Sequence, residues 1–325
     1  MLYVHGLGHF HPENEIDNRF LESLDIGTND EWIVSRVGIH SRRTVLPLDY
    51  IRETKNRDLR AAEEAVLYTN AQSGAHAARM AIERAGISRS DIGMVVAGDC
   101  SPQTLIPSEA AAIAKELNLD VAAFDMHSAC STFGAHLHFL SKMGDALPDY
   151  VLCVVPENTT RITDFSDRAT AILFGDAAAA AVVSTKHKGR ARLLHSSFGG
   201  APEGAMDVLI PHVGHFTQNG SRVQKFAIKR MAALYDECRE LVGDRGERVV
   251  YVGHQANFTM LESVVKRSKI PADRHWYNID RYGNQAAAGA PVVVSQRWES
   301  IPEGELVAIV VVGSGLSWSS LLLQF

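Results

Sequence analysis

The sequence predicts an α/β protein made of two similar halves. Three observations carry this: short apolar runs of strand type alternate with segments of helical period, the same order of elements occurs twice, and turns in both halves end a strand and open a helix. With 325 residues, 46% of them hydrophobic and 22% charged, the chain has enough apolar material for one large domain or two halves.

In the first half, Ile92-Gly-Met-Val-Val-Ala-Gly-Asp99 reads as a buried parallel strand. Ser108 is placed to cap a helix whose Ala110, Ala111, Ile113, Ala114 and Leu117 recur at helical spacing. A second buried strand follows at Val121–Asp125, then a small-residue turn, a helix from about Ser131 to Met143 and a third strand at Tyr150–Val155. The second half repeats this: strand Val249–Val252, turn Gly253–Asn257, helix about Phe258–Ser268, strand near His275–Ile279, turn Tyr282–Asn284, a helix through Arg297 and strand Leu306–Val312. Parallel strands need crossovers, so the pattern implies mostly parallel sheets with helices on their faces. The apolar run Ala177–Val183 closes the first half and puts the division near Ser184–Gly189, giving units 1–184 and 185–325. Residues 46–73 fit this pattern least; their charged stretch Arg57–Leu67 reads as helical, and the segment as a lid, a dimer arm or a solvated insertion.

A net charge of -6 argues against a nucleic-acid groove, which needs clustered Lys and Arg in excess. Cysteines 100, 130, 153 and 238 form no CxxC pair, so neither a zinc cage nor a disulfide framework is expected. No stretch approaches the roughly 18 apolar residues of a membrane span, and free thiols suit a reducing compartment, so the sequence reads as cytoplasmic. His9 and His11, His136 and His138, and His212 and His215 have spacings compatible with a metal, but no carboxylate or cysteine partners accompany them.

A cysteine at a strand-to-helix turn lies near unpaired N–H groups and the positive end of the helix dipole, which lowers its pKa. Cys130, in His127-Ser-Ala-Cys-Ser-Thr-Phe-Gly134, has that setting; Cys100, Cys153 and Cys238 lack it and read as structural. His254 follows a strand, at the carboxyl end where ligands bind in such sheets. Asn284 alone would read as an N-cap. The coincidence of Cys, His and Asn at corresponding turns points to a catalytic set.

Asn29-Asp-Glu-Trp-Ile-Val-Ser-Arg-Val-Gly-Ile39, Ser166-Asp-Arg-Ala-Thr-Ala-Ile-Leu-Phe-Gly-Asp176, Gly253-His-Gln-Ala-Asn257, Asp280-Arg-Tyr-Gly-Asn284 and Gly313-Ser-Gly-Leu-Ser-Trp318 resemble, in order, the signature segments of β-ketoacyl-acyl carrier protein synthase III in the thiolase superfamily. The resemblance implies a five-layered αβαβα fold and a condensing acyltransferase. Cys130 would take an acyl group from a coenzyme A or carrier-protein thioester, while His254 and Asn284 would stabilise the enolate of a malonyl or β-ketoacyl carrier thioester. The backbone N–H groups of Cys130 and Ser314 would form a second oxyanion hole. Trp32, Arg36 and Arg161 would bind the adenine end of coenzyme A, and Asn257 the pantetheine. Arg222, Lys225, Lys229, Lys266 and Arg267 would dock an acidic carrier. A homodimer is implied, with Ile106 gating the partner's acyl pocket, and neither a metal nor another cofactor.

Several departures bear on substrate. Ile106 stands where the family often has Phe, Gln224 where it has an aromatic, Thr259 where it has Arg, and Ser131-Thr132 where it has Ala-Gly, while much of 46–73 is extra. Together they favour a condensing enzyme of specialised metabolism. The alternatives are housekeeping initiation of fatty-acid synthesis and acyl transfer to another nucleophile; a non-catalytic subunit fits poorly with an intact Cys, His and Asn.

Overall fold

A computed structural model describes residues 1–325. The strands are β1 (Tyr3–Phe10), β2 (Asn14–Asp17), β3 (Ser41–Thr44), β4 (Ile92–Ala97), β5 (Ala122–Asp125), β6 (Tyr150–Glu157) and β7 (Ala177–Ser184). Then come β8 (Ala191–Gly200), β9 (Val208–Leu209), β10 (Thr217–Gln218), β11 (Val250–Gly253), β12 (Leu306–Gly313) and β13 (Ser317–Gln324). Nine of them form one hydrogen-bonded sheet in the order β11-β12-β13-β8-β1-β7-β6-β4-β5. Its two halves are joined where Tyr3 and Val4 of β1 pair with Arg192 and Ala191 of β8.

The half-sheets repeat one pattern. In the first, β1 pairs antiparallel with β7, β7 antiparallel with β6, β6 parallel with β4, and β4 parallel with β5. In the second, β8, β13, β12 and β11 repeat the first three pairings in the same senses. The expectation of mostly parallel sheets is therefore corrected: each half is mixed, because β7 and β13 turn back along their predecessors without a crossover helix.

The layers follow from which face each residue presents. Along β7, Ala177, Ala179, Ala181 and Val183 enter the core between the half-sheets, while Ala178, Ala180 and Val182 enter the outer core. Burial on both faces accounts for the unbroken apolar runs. Helices Thr132–Met143 and Gly289–Ser295 each touch strands of both halves and form the central layer. Helices Asn70–Ala85 and Glu109–Glu116 cover one outer face, and Gly220–Glu240 with Phe258–Arg267 the other, completing αβαβα. No helix is long and apolar enough to cross a membrane.

Three further expectations change. The strand expected buried at Val121–Asp125 ends the sheet, and most of β5 is exposed. The strand near His275–Ile279 shrinks to one bridge, Tyr251 with His275, because Gln255 Oε1 accepts the N–H groups of Asn278 (3.1 Å) and Ile279 (3.2 Å) that a ladder would use. A short helix, Ile279–Tyr282, follows instead, and the helix expected through Arg297 is regular only over Gly289–Ser295. Residues 46–73 combine an exposed charged face with buried anchors. They form short helices Leu48–Thr54 and Leu59–Ala65, between which fully buried Asn56 donates to the carbonyls of Thr160, Arg161 and Thr163.

Candidate active site

The chain leaves β5 at Asp125, whose carboxylate accepts the N–H groups of Glu109 and Ala110 (both 2.8 Å) while Ser108 Oγ accepts that of Ala111 (3.2 Å). The turn beyond is strained: Ala129 has φ 47°, a conformation that costs a side-chain-bearing residue about 1–2 kcal/mol and often marks a functional site. Its neighbours hold it. Ser128 N–H donates to Thr132 Oγ1 (2.9 Å), Thr132 Oγ1 donates to the Ala129 carbonyl (2.6 Å), and Ser131 Oγ hydrogen-bonds Ser317 Oγ (2.8 Å) on β13. Ser131 and Thr132 thus brace the turn. Cys130 sits in the 3-10 turn Ala129–Ser131 that runs straight into the helix Thr132–Met143.

Cys100 lies against Cys130, with their sulfurs 3.8 Å apart. It is therefore not a remote structural residue as its sequence setting implied. β4 and β5 are adjacent and parallel, with Ala97 opposite Asp125, so the chain carries both cysteines off the same end of the sheet. The Cys130 thiol is held well below its usual value, first by the hydrogen bond from Cys100 and then by His254, against the opposing cost of burial. Cys100 is pushed up by the same bond and by burial. Within the pair, deprotonation is thus favoured at Cys130 over Cys100.

His254 follows β11 and is buried, with Nδ1 lacking a partner, and it lines the same cavity as Cys130. Asn284 is fastened across the half-sheets: its N–H donates to the Leu173 carbonyl (2.8 Å), and its carbonyl accepts from Gly175 N–H (3.0 Å). Its side-chain oxygen accepts Ala286 N–H (3.0 Å), which leaves the amide NH2 free to donate. Ala286 has φ 45°, so the Cys130 and Asn284 turns share a left-handed alanine. Glu157, which sequence reasoning missed, ties the Cys100 segment to the Asn284 turn by accepting N–H groups from Cys100 and Ala287 (3.1 Å each). Burial, then Asp99 and Cys130, push its carboxyl well above the usual range. Its signal was a Glu directly ending the apolar run of β6.

These side chains meet in a cavity of about 280 Å³ lined by 22 residues, 15 of them hydrophobic, among them Cys100, Cys130, His254, Asn284 and Ser314. Gly313 closes its floor, and a Cβ there would lie 3.0 Å from the backbone nitrogens of both Cys130 and Ser131. A side chain there would crowd the turn that carries Cys130.

The remaining predicted residues divide. Trp32 is half-buried, with the Arg36 guanidinium 4.5 Å and that of Arg168 4.9 Å from its ring centre. Arg168, overlooked within the Ser166–Asp176 segment, stands at the Trp32 ring where Arg161 was expected. Arg161 is buried in an ion pair with Glu63 and donates to the Ser101 carbonyl (2.6 Å), so it is committed to structure. Asn257 is the N-cap of the helix Phe258–Arg267, accepting from Thr259 N–H (2.9 Å), and it does not line the cavity. Gln224 is exposed and off the cavity, to which its helix contributes Val223 and Ala227. Ile106 is 87% exposed and contributes nothing to its own chain's cavity. Lys225, Lys229, Lys266 and Arg267 are exposed on two helices that pack together, while Arg222 pairs with Asp207. His11 hydrogen-bonds Gln285 and His9 hydrogen-bonds Ser295 (2.9 Å each).

Residues 124–202 match the family described as 3-oxoacyl-[acyl-carrier-protein] synthase III, and residues 246–325 match the C-terminal part of that enzyme. The β-ketoacyl-[acyl-carrier-protein] synthase III of Oceanobacillus iheyensis is 33% identical, with 98% of this chain and 97% of the relative covered. That of Aquifex aeolicus is 30% identical over 98% of each. Among solved structures, the 3-oxoacyl-[acyl-carrier-protein] synthase III of Aquifex aeolicus superposes over the whole of both chains with TM-score 0.88 at 26% identity. The priming β-ketosynthase of the R1128 polyketide pathway superposes with TM-score 0.83 at 27% identity, over 100% of this chain and 96% of that one.

Proposed function

Because the chain belongs to the β-ketoacyl-[acyl-carrier-protein] synthase III family and is an acyltransferase of the condensing type, we propose that it performs the initiating condensation of fatty-acid synthesis, joining an acyl group from coenzyme A to a malonyl carrier-protein thioester. The observation that carries this reading is the meeting, in one cavity, of a cysteine whose thiol is held below its usual range with a histidine and an asparagine whose amide NH2 is free.

In the first step Cys130 attacks the thioester carbonyl, with the oxyanion received by the N–H groups of Cys130 and Ser314 beside the space at Gly313. The coenzyme A thiolate leaves and takes a proton. In the second, malonyl thioester loses CO2, His254 and Asn284 donate to the enolate oxygen, and the enolate carbon attacks the acyl group and releases Cys130. Trp32, Arg36 and Arg168 suit an adenine ring, and Lys225, Lys229, Lys266 and Arg267 an acidic carrier.

This reading replaces the specialised-metabolism assignment favoured by the sequence departures. Relatives matched over nearly their whole length bear the name of the initiating synthase, Gln224 does not line the cavity, and Ser131 and Thr132 serve the turn. We take the working assembly to be a symmetric homodimer. The open edge of β5, with exposed Phe124, and the exposed Leu105 and Ile106 need cover. The test is intact-mass analysis after incubation with a panel of acyl-coenzyme A and acyl-carrier thioesters, followed by malonyl carrier protein. The reading expects an adduct on Cys130 from coenzyme A donors, release on condensation, and no adduct in Cys130→Ala; an adduct in that variant contradicts it.

A further inference from the structure

We propose that Cys100 is a resolving thiol, which captures Cys130 after oxidation by a peroxide and closes a reversible disulfide inside the acyl cavity. The geometry is specific to this pair. Both cysteines are unbridged, both line the cavity, and their sulfurs are 3.8 Å apart. A disulfide bond is about 2.05 Å long, so closure needs an approach of roughly 1.8 Å. Cys130 lies in the 3-10 turn Ala129–Ser131 and Cys100 in the segment after β4, so neither has to break a strand pairing to move.

The chemistry balances with a peroxide as the only co-reactant. The Cys130 sulfur attacks one peroxide oxygen, the O–O bond breaks, and the departing oxygen takes a proton; Cys130 becomes a sulfenic acid and the peroxide is reduced by two electrons. The Cys100 sulfur then attacks the Cys130 sulfur, the S–O bond breaks, and the leaving hydroxide takes the Cys100 proton to form water. Two thiols and one hydrogen peroxide thus give one disulfide and two waters. Peroxide attack requires a thiolate, and the thiol beside it is already hydrogen-bonded to the sulfur it must attack. The other cysteines are bystanders: Cys153 and Cys238 are buried, and burial pushes both thiols up, Cys238 to about 12. The disulfide would silence the nucleophile while sparing it irreversible oxidation to the sulfinic acid. A bound acyl group would block the first step by occupying the same sulfur.

The test treats the protein with hydrogen peroxide, alkylates the remaining thiols and maps peptides by mass. The expected product is two hydrogens lighter, joins the Cys100 and Cys130 peptides, leaves Cys153 and Cys238 as thiols, and returns to the starting mass with dithiothreitol. In Cys100→Ser, Cys130 should instead proceed to sulfinic acid that dithiothreitol does not reverse. If that variant fails to fold, the wild-type peptide map decides alone. Sulfinic acid at Cys130 of the wild type without the cross-link, a cross-link between other cysteines, or no reaction at Cys130 under excess peroxide would overturn the proposal. These readouts need no acyl substrate, so they stand or fall separately from the condensing reaction.

Discussion

The two half-sheets share one plan and differ where the chemistry lies. The first completes five strands, and its last, β5, delivers the chain into the Cys130 turn and a helix of 12 residues. The second has four strands and a single bridge at His275, and it reaches Asn284 through a short helix. A thiolate gains from the N-terminus of a regular helix. A neutral donor needs only a fixed position, and Asn284 obtains it from Leu173, Gly175 and, through Ala287, Glu157. On the proposed reading this is a division of labour: the first half carries the nucleophile and the thiol that chiefly stabilises its charge, while the second adds His254 and presents the fixed Asn284 amide to charge that develops on the substrate.

The sharpest way to break this comparison is at the seam between the halves. In Gly313→Ala the new methyl would crowd the Cys130 and Ser131 nitrogens at 3.0 Å, where the acyl oxyanion is expected. Both half-reactions should fall by about a hundredfold or more, the scale of losing an oxyanion donor, as read by single-turnover acylation and by product formation. Wild-type acylation would move the oxyanion hole elsewhere.

Electrostatics of the first half can be tested through pH. The leading cause of the depressed Cys130 pKa is the Cys100 thiol, so Cys100→Ala should raise that pKa. The thiolate fraction near neutral pH then falls, and the pH profile of Cys130 alkylation by iodoacetamide moves to higher pH. An unmoved profile would assign the thiolate to His254 and the helix instead.

At the open edge of the first half, Ile106→Phe should disfavour long or branched acyl donors over acetyl, because overpacking a pocket costs about 1–3 kcal/mol. Acylation rates across a chain-length series check this, with sedimentation to establish the dimer. A monomer, or an unchanged preference, would remove Ile106 from the partner's pocket.

How much of this was legible in the sequence depended on range. The turns carrying Cys130 and His254 follow strands found by pattern, whereas Asn284 follows a short helix and was placed by the repeat and the family segment. β1, β8 and β13 were not identified, since each is defined by antiparallel partners far away in the chain or by a return without a crossover. The missing strand near His275 reflects one side chain, Gln255, taking the place of a ladder. Arg161 was assigned to coenzyme A by family resemblance, and its ion pair with Glu63 was not foreseen because Glu63 lies in the stretch least readable by periodicity. Cys100 needed only the inference that two adjacent parallel strands each deliver a cysteine from the same end.

The division of labour itself is tested most directly by separating the half-reactions in Asn284→Ala, whose folded state is checked by circular dichroism. Acylation of Cys130, followed by intact mass, should proceed near the wild-type rate, while decarboxylative condensation with malonyl carrier protein falls about a hundredfold or more. Equal loss of both steps would contradict the account and give Asn284 a part in activating the thiol.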